Sequence, residues 1–130
     1  MKPQSDLHSV DNVPWTPIAA GASSASGKGI VEKLLSVDPN NPDNCSRLVR
    51  LDKGVKTGVV THPFWEEVYV IKGRMVDKTH GIDTKQGDFC CRHPGMVHGP
   101  FEILEEVITF EIHYVPKEWA EQEAKKKAKK

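Results

Sequence analysis

The chain has 130 residues, enough for one domain with its own core. Eighteen Lys and Arg balance eighteen Asp and Glu, which excludes the bulk field that would gather nucleic acid or an anionic membrane around the protein and leaves a small molecule as the expected partner. No uncharged apolar run approaches the ~18 residues of a membrane span, "MKPQSDLHSV" has no secretory apolar stretch, and three cysteines (Cys45, Cys90, Cys91) argue against a disulfide framework, so a cytoplasmic protein is expected.

In chain order, residues 1–12 are a polar arm, and "VPWTPI" follows, with Trp15 able to bury area in an edge strand flanked by prolines. "GASSASGKG" is similar to a phosphate-cradling loop, but five residues, not four, separate Gly21 from Gly27, and Gly29 follows Lys28 where Ser or Thr is required, so a flexible loop is expected. Then come "IVEKLLSVD", "CSRLVRLD", "KTGVV", "EEVYVIKG", "RMVDKT", "DFCCRH", "MVHGPF" and "EEVITFEIHYV", divided by turn chemistry such as "PNNPDN", "THGID", "KQGD" and "HPGM". Eight or more short strands without a long amphipathic helix among them predict an all-β sandwich or barrel over about residues 30–115. The one helix is terminal, over 116–130: Pro116 stands near a first-turn position, Glu118, Glu121 and Glu123 come early and the lysines late, as suits the helix dipole, and the run reads as a solvated end. One domain, 1–130, is expected.

"THPFWEEVYVIKG" carries the chemistry. In an extended segment Val60, His62, Phe64, Glu66, Val68 and Val70 share one face, and Glu67 and Tyr69 point the other way. An imidazole and a carboxylate on an apolar face require either mutual pairing at an open rim or a shared metal ion in the interior. "GDFCCRHPGMVHGPF" adds His98 beyond a Pro94-Gly95 turn, so three potential ligands come from two hairpins that a small barrel could bring together. In "EEVITFEIHYV", Thr109, Glu111 and His113 alternate with Ile108, Phe110, Ile112 and Tyr114. The polar set faces solvent in a sandwich but lines the cavity of a ligand-binding barrel, where Glu111 and His113 are acid–base candidates. His93 is a surface turn residue, a replacement ligand or a third acid–base group. One of Cys90 and Cys91 must face inward, as core filler or soft ligand. Arg47, Arg50, Arg92 and Tyr69 are candidates to hold an anionic or carbonyl substrate, or are simply solvated. His8 and His80 carry no signal.

These residues resemble the cupins. Their first motif, G-x5-H-x-H-x(3 or 4)-E-x6-G, is matched by Gly54, Val60, His62, Glu66 and Gly73, and their second, G-x5-P-x-G-x2-H-x3-N, by Gly87, His93, Gly95, His98 and Glu102. The resemblance covers roughly residues 45–115 and extends to the ChrR-type branch, which includes anti-sigma-factor sensor domains and relatives of diketone-cleaving dioxygenases. It implies a double-stranded β-helix, or jelly-roll barrel, with one divalent metal per chain (Fe2+, Zn2+, Mn2+ or Ni2+) on His62, Glu66 and His98. Val60 stands where the first metal histidine belongs, His93 replaces a proline, and Glu102 an asparagine. Two histidines and one carboxylate with open positions also match the ligand composition of non-haem iron oxygenases. The implied activity is that of a metal-dependent enzyme on a small keto, enol or hydroxy acid, a dioxygenase or an isomerase, lyase or decarboxylase. The alternatives are a sensor or ligand-binding module and a storage cupin with a degenerate site. Long apolar strand edges predict a homodimer.

Overall fold

A short 3-10 turn (Val10–Asn12) in the N-terminal arm precedes seven strands: β1 (Thr16–Pro17), β2 (Ile30–Asp38), β3 (Asn41–Leu51), β4 (Trp65–Asp77), β5 (Ile82–Lys85), β6 (Phe89–Arg92) and β7 (Phe101–Tyr114), followed by helix α1 (Lys117–Ala128). This is a computed structural model, which describes residues 1–19, 24–115 and 117–129. The strands are antiparallel in the order β1-β2-β3-β7-β4-β5, with β6 on the same edge of β4 as β5. The expected all-β jelly roll with a terminal helix is what forms. Part of the Gly21–Gly29 loop, Pro116, and the side chains of Glu118 and Glu123 fall outside the described residues. No helix among the described residues is long and apolar enough to cross a membrane.

The strands are longer and fewer than the turn signals suggest. "PNNPDN" turns only at residues 39–40, and β3 begins at Asn41. "KTGVV" and "MVHGPF" are not full strands: they contribute the single bridges Lys56↔Glu102 and Val60↔His98, while Phe101 opens β7. "EEVYVIKG" and "RMVDKT" fuse into β4 through Gly73, where the register on β7 shifts. Gly73 has φ +96°, and a Cβ there would run into the Glu106 carbonyl and sit 2.7 Å from the Val107 Cα, so only glycine lets the two long strands stay in contact across the bulge. We expect Gly73→Ala to cost on the order of 3 kcal/mol in urea unfolding, and a change below about 0.5 kcal/mol would contradict this close approach.

Cross-strand register stacks the inward residues of β3, β7 and β4 in layers. Cys45, His113 and Glu66 form one, continued by Arg92 of β6; Arg47, Glu111 and Val68 form the next, continued by Cys90; then come Val49, Thr109 and Val70, and finally Leu51 with Val107. The interior therefore grades from ionisable at one end to apolar at the other, where Ile18, Ile30, Val49, Leu51, Met75, Ile103 and Val107 make the core. Thr109, Glu111 and His113 are buried, whereas Ile108, Phe110, Ile112 and Tyr114 lie on the half-buried outer face. Of the two arrangements open for this strand, the cavity-lining one holds.

Candidate metal centre

His62 lies in the extended approach to β4, stacked on Phe64 with ring centroids 4.1 Å apart. Its Nδ1 is 3.1 Å from the Phe64 carbonyl oxygen. A carbonyl only accepts, so Nδ1 carries the proton and Nε2 of the neutral ring is a lone pair. That Nε2 is buried without a hydrogen-bond partner and lies 3.5 Å from Glu66 Oε1. His98 repeats the device: Nδ1 is 3.3 Å from the Met96 carbonyl, and Nε2 is 3.8 Å from the same Glu66 oxygen. Paired backbone bonds of 2.8 and 3.0 Å between Val60 and His98 hold the second hairpin in place. Burial, aided by Arg92, pushes the His98 imidazole below its usual pKa and favours the neutral ring. Two buried lone pairs and a carboxylate oxygen thus converge on one point. The orphaned Nε2 of His62 and this N,N,O donor set fit a divalent transition metal.

The other Glu66 oxygen accepts from His113 Nε2 at 2.7 Å, and Nδ1 of that ring is 3.6 Å from Cys45 Sγ. Burial alone would raise the Glu66 carboxyl, but the hydrogen bond and charge of His113 hold it well below the usual carboxylate range. Burial likewise opposes charge on His113, yet Cys45, Glu111 and Glu66 together push its pKa up to about 11. Glu111 accepts from Arg47 Nε at 3.1 Å and from Thr109 Oγ1 at 2.8 Å. Arg47 reaches Glu32 at 2.7 Å and Ser24 at 2.8 Å as well, so its donors are committed to the fold. Arg92 donates to Glu66 Oε1 at 3.0 Å.

An inner cavity of about 70 Å3 is bounded by Val60, His62, Glu66, His98, Arg92 and Glu111, among others. The structure thus gathers His62, Glu66, His98, Glu111 and Arg92 around one space, with His113 touching both carboxylates. It separates the rest. Arg50 is on the outward face of β3, its guanidinium 4.7 Å from the Trp15 ring centre. Tyr69 is 48% exposed. Strand parity turns both away from the cavity, which corrects the expectation that they hold substrate. His93 is exposed on its turn beside Trp65, at 6.3 Å between ring centroids, and lies outside the lining of this cavity. Cys90 faces inward and Cys91 is exposed. The Arg47–Glu32–Glu111 network was not foreseen. Its signal is that Arg47 is in phase with Cys45, Val49 and Leu51, all of which are buried.

Residues 3–117 match the family described as the ChrR Cupin-like domain. No curated protein matches the sequence. Among solved structures, the chain is similar to an RmlC-like cupin protein from Ralstonia eutropha (TM-score 0.69, 19% identity, 86% of this chain and 69% of that one). It is also similar to a putative acetylacetone dioxygenase from Methylibium petroleiphilum (TM-score 0.67, 18% identity, 89% and 84%). A third likeness is to Rhodobacter sphaeroides SigE in complex with the anti-sigma ChrR (TM-score 0.57, 18% identity, 82% of this chain and 51% of that one). At these identities the likenesses establish the fold.

Proposed function

Because the chain belongs to the ChrR cupin-like family, we propose that it is a metal-dependent enzyme acting on a small oxygenated organic molecule, a keto, enol or hydroxy acid. One divalent ion per chain would be held by His62, Glu66 and His98. The observation that carries this reading is the convergence of two lone-pair nitrogens and Glu66 Oε1 in a buried cavity, with His62 Nε2 left without a partner. An ion there supplies Lewis-acid polarisation of adjacent substrate oxygens. The chain's own groups do the rest. His113 orients Glu66 from behind, Val68, Met75 and Phe101 of the cavity wall keep water out, and Glu111, tied to Thr109 and Arg47, is the buried carboxylate best placed to exchange a proton. With iron the reading is a dioxygenase. With zinc or manganese it is an isomerase, lyase or decarboxylase.

A second reading, a sensor or ligand-binding module, is supported by the ChrR description of the family and the likeness to the ChrR structure. The reading also includes a homodimer, supported by an outward cross-strand row of Leu48, Phe110, Tyr69 and Phe89. Iron-, manganese- and zinc-loaded protein should be offered 1,3-diketones, 2-oxo acids and hydroxy acids, following oxygen uptake and products by mass spectrometry. We expect turnover with at least one metal, lost in His98→Ala and kept in His80→Ala, since His80 sits on the β4–β5 turn against Asp77. Binding without conversion under every metal would favour the sensor. Equal damage from both variants would refute the site.

A further inference from the structure

The cavity has a second part. Beyond Val68, Met75, Arg92 and Phe101, which line both spaces, lies an outer chamber of about 280 Å3 with Val70 and Ile82 in its walls. Its walls are mainly apolar, and its two carboxylates are already engaged: Asp77 by Thr79, His80 and the turn, Asp88 by Lys85. Arg92 is the cation common to both chambers, its guanidinium 5.8 Å from the Phe101 ring centre.

Arg92 differs from the other cavity arginine in one decisive way. Arg47 directs Nε, NH1 and NH2 to protein acceptors. The Arg92 side chain makes a single hydrogen bond, from NH1 to Glu66, among the described residues, although it is only 13% exposed. The remaining N–H donors of a planar fork suited to carboxylates are left without a protein acceptor. Charge points the same way. Glu32, Glu66 and Glu111 face Arg47 and Arg92, so a divalent cation leaves the cluster net positive whether or not His113 carries a proton, and an anionic ligand restores balance.

Resting on the metal reading above, we propose that the substrate is a small carboxylate with a short apolar body, its carboxylate held by Arg92 and its carbon chain in the outer chamber. Arg92 is then the residue that selects acids over neutral carbonyl compounds.

Zinc-loaded protein, which does not turn over oxygen, should be titrated calorimetrically with 2-oxobutanoate and with its neutral amide, in the parent, Arg92→Met and Arg92→Lys. The parent should prefer the acid, and Arg92→Met should lower the acid-to-amide ratio by about ten-fold or more, the loss of a charge-assisted pair; Arg92→Lys, which keeps the charge without the fork, should fall between. The same titrations on metal-free protein separate the two readings, because there the acid preference depends on Arg92 alone. If zinc fails to bind but the metal-free preference persists and is lost in Arg92→Met, the metal reading falls and the Arg92 assignment stands. An unchanged ratio in a folded Arg92→Met protein, or no acid preference in the parent with or without zinc, overturns the assignment.

Discussion

His62→Ala, Glu66→Gln and His98→Ala each weaken metal binding by more than the roughly 10–100-fold that loss of an outer hydrogen-bond partner costs, and competition against a chromogenic chelator measures it. Each substitution removes one of the three donors that converge on this point among the described residues. Val60 occupies the cavity wall where a further nitrogen would have been available. The graded control is His113→Gln. His113 touches Glu66 Oε2, not the convergence point, so its loss should fall within that 10–100-fold range. His80→Ala should leave binding unchanged. If His113→Gln proves more damaging than His62→Ala, the ion lies instead among Glu66, Glu111 and His113, the second group whose donor atoms come together.

Arg47→Ala should lower stability by about 3–5 kcal/mol, because it strands Glu111 and Glu32 without their cation in the interior. Glu111 is 8% exposed and keeps only Thr109 and His113 as partners once Arg47 is gone. Burial would raise the Glu111 carboxyl, and Arg47 is the foremost group holding it below the usual range, so the loss should ease as pH falls and Glu111 protonates. Urea unfolding at neutral and acid pH reads both effects. Replacing Arg47, Glu32 and Glu111 together with apolar residues of similar volume should recover most of the stability, since desolvation and attraction nearly cancel in such clusters. A cost below about 1 kcal/mol for Arg47→Ala at neutral pH would mean that water reaches the network and the inward face of β7 is not sealed.

The two motif halves were legible because ligand spacing is local: His62 and Glu66 sit on one face by strand parity, and the Pro94-Gly95 turn sets His98 on the returning hairpin. β2 begins and ends where its turn residues suggest. What lies across strands was less legible. Alternation along Thr109, Glu111 and His113 shows a period of two but not which face is inside; that is decided by register, which places Arg47 opposite Glu111 and Cys45 opposite His113. The fusion of two segments into β4 depends on a bulge at Gly73 that answers to Glu106 and Val107, more than thirty positions away. Arg47, Arg50 and Arg92 are the same residue type in similar surroundings along the chain, and only their partners separate a structural cation, a cation stacked on Trp15 and one with unfilled donors.

The most direct test of the metal centre is anomalous X-ray diffraction from crystals grown with stoichiometric metal, with data taken on either side of the absorption edge. The account predicts one strong anomalous peak per chain within coordination distance of His62 Nε2, His98 Nε2 and Glu66, with Arg92 displaced from Glu66 Oε1 or sharing it. A peak among Glu66, Glu111 and His113, or metal-replete crystals with no peak near His62 and His98, would contradict it.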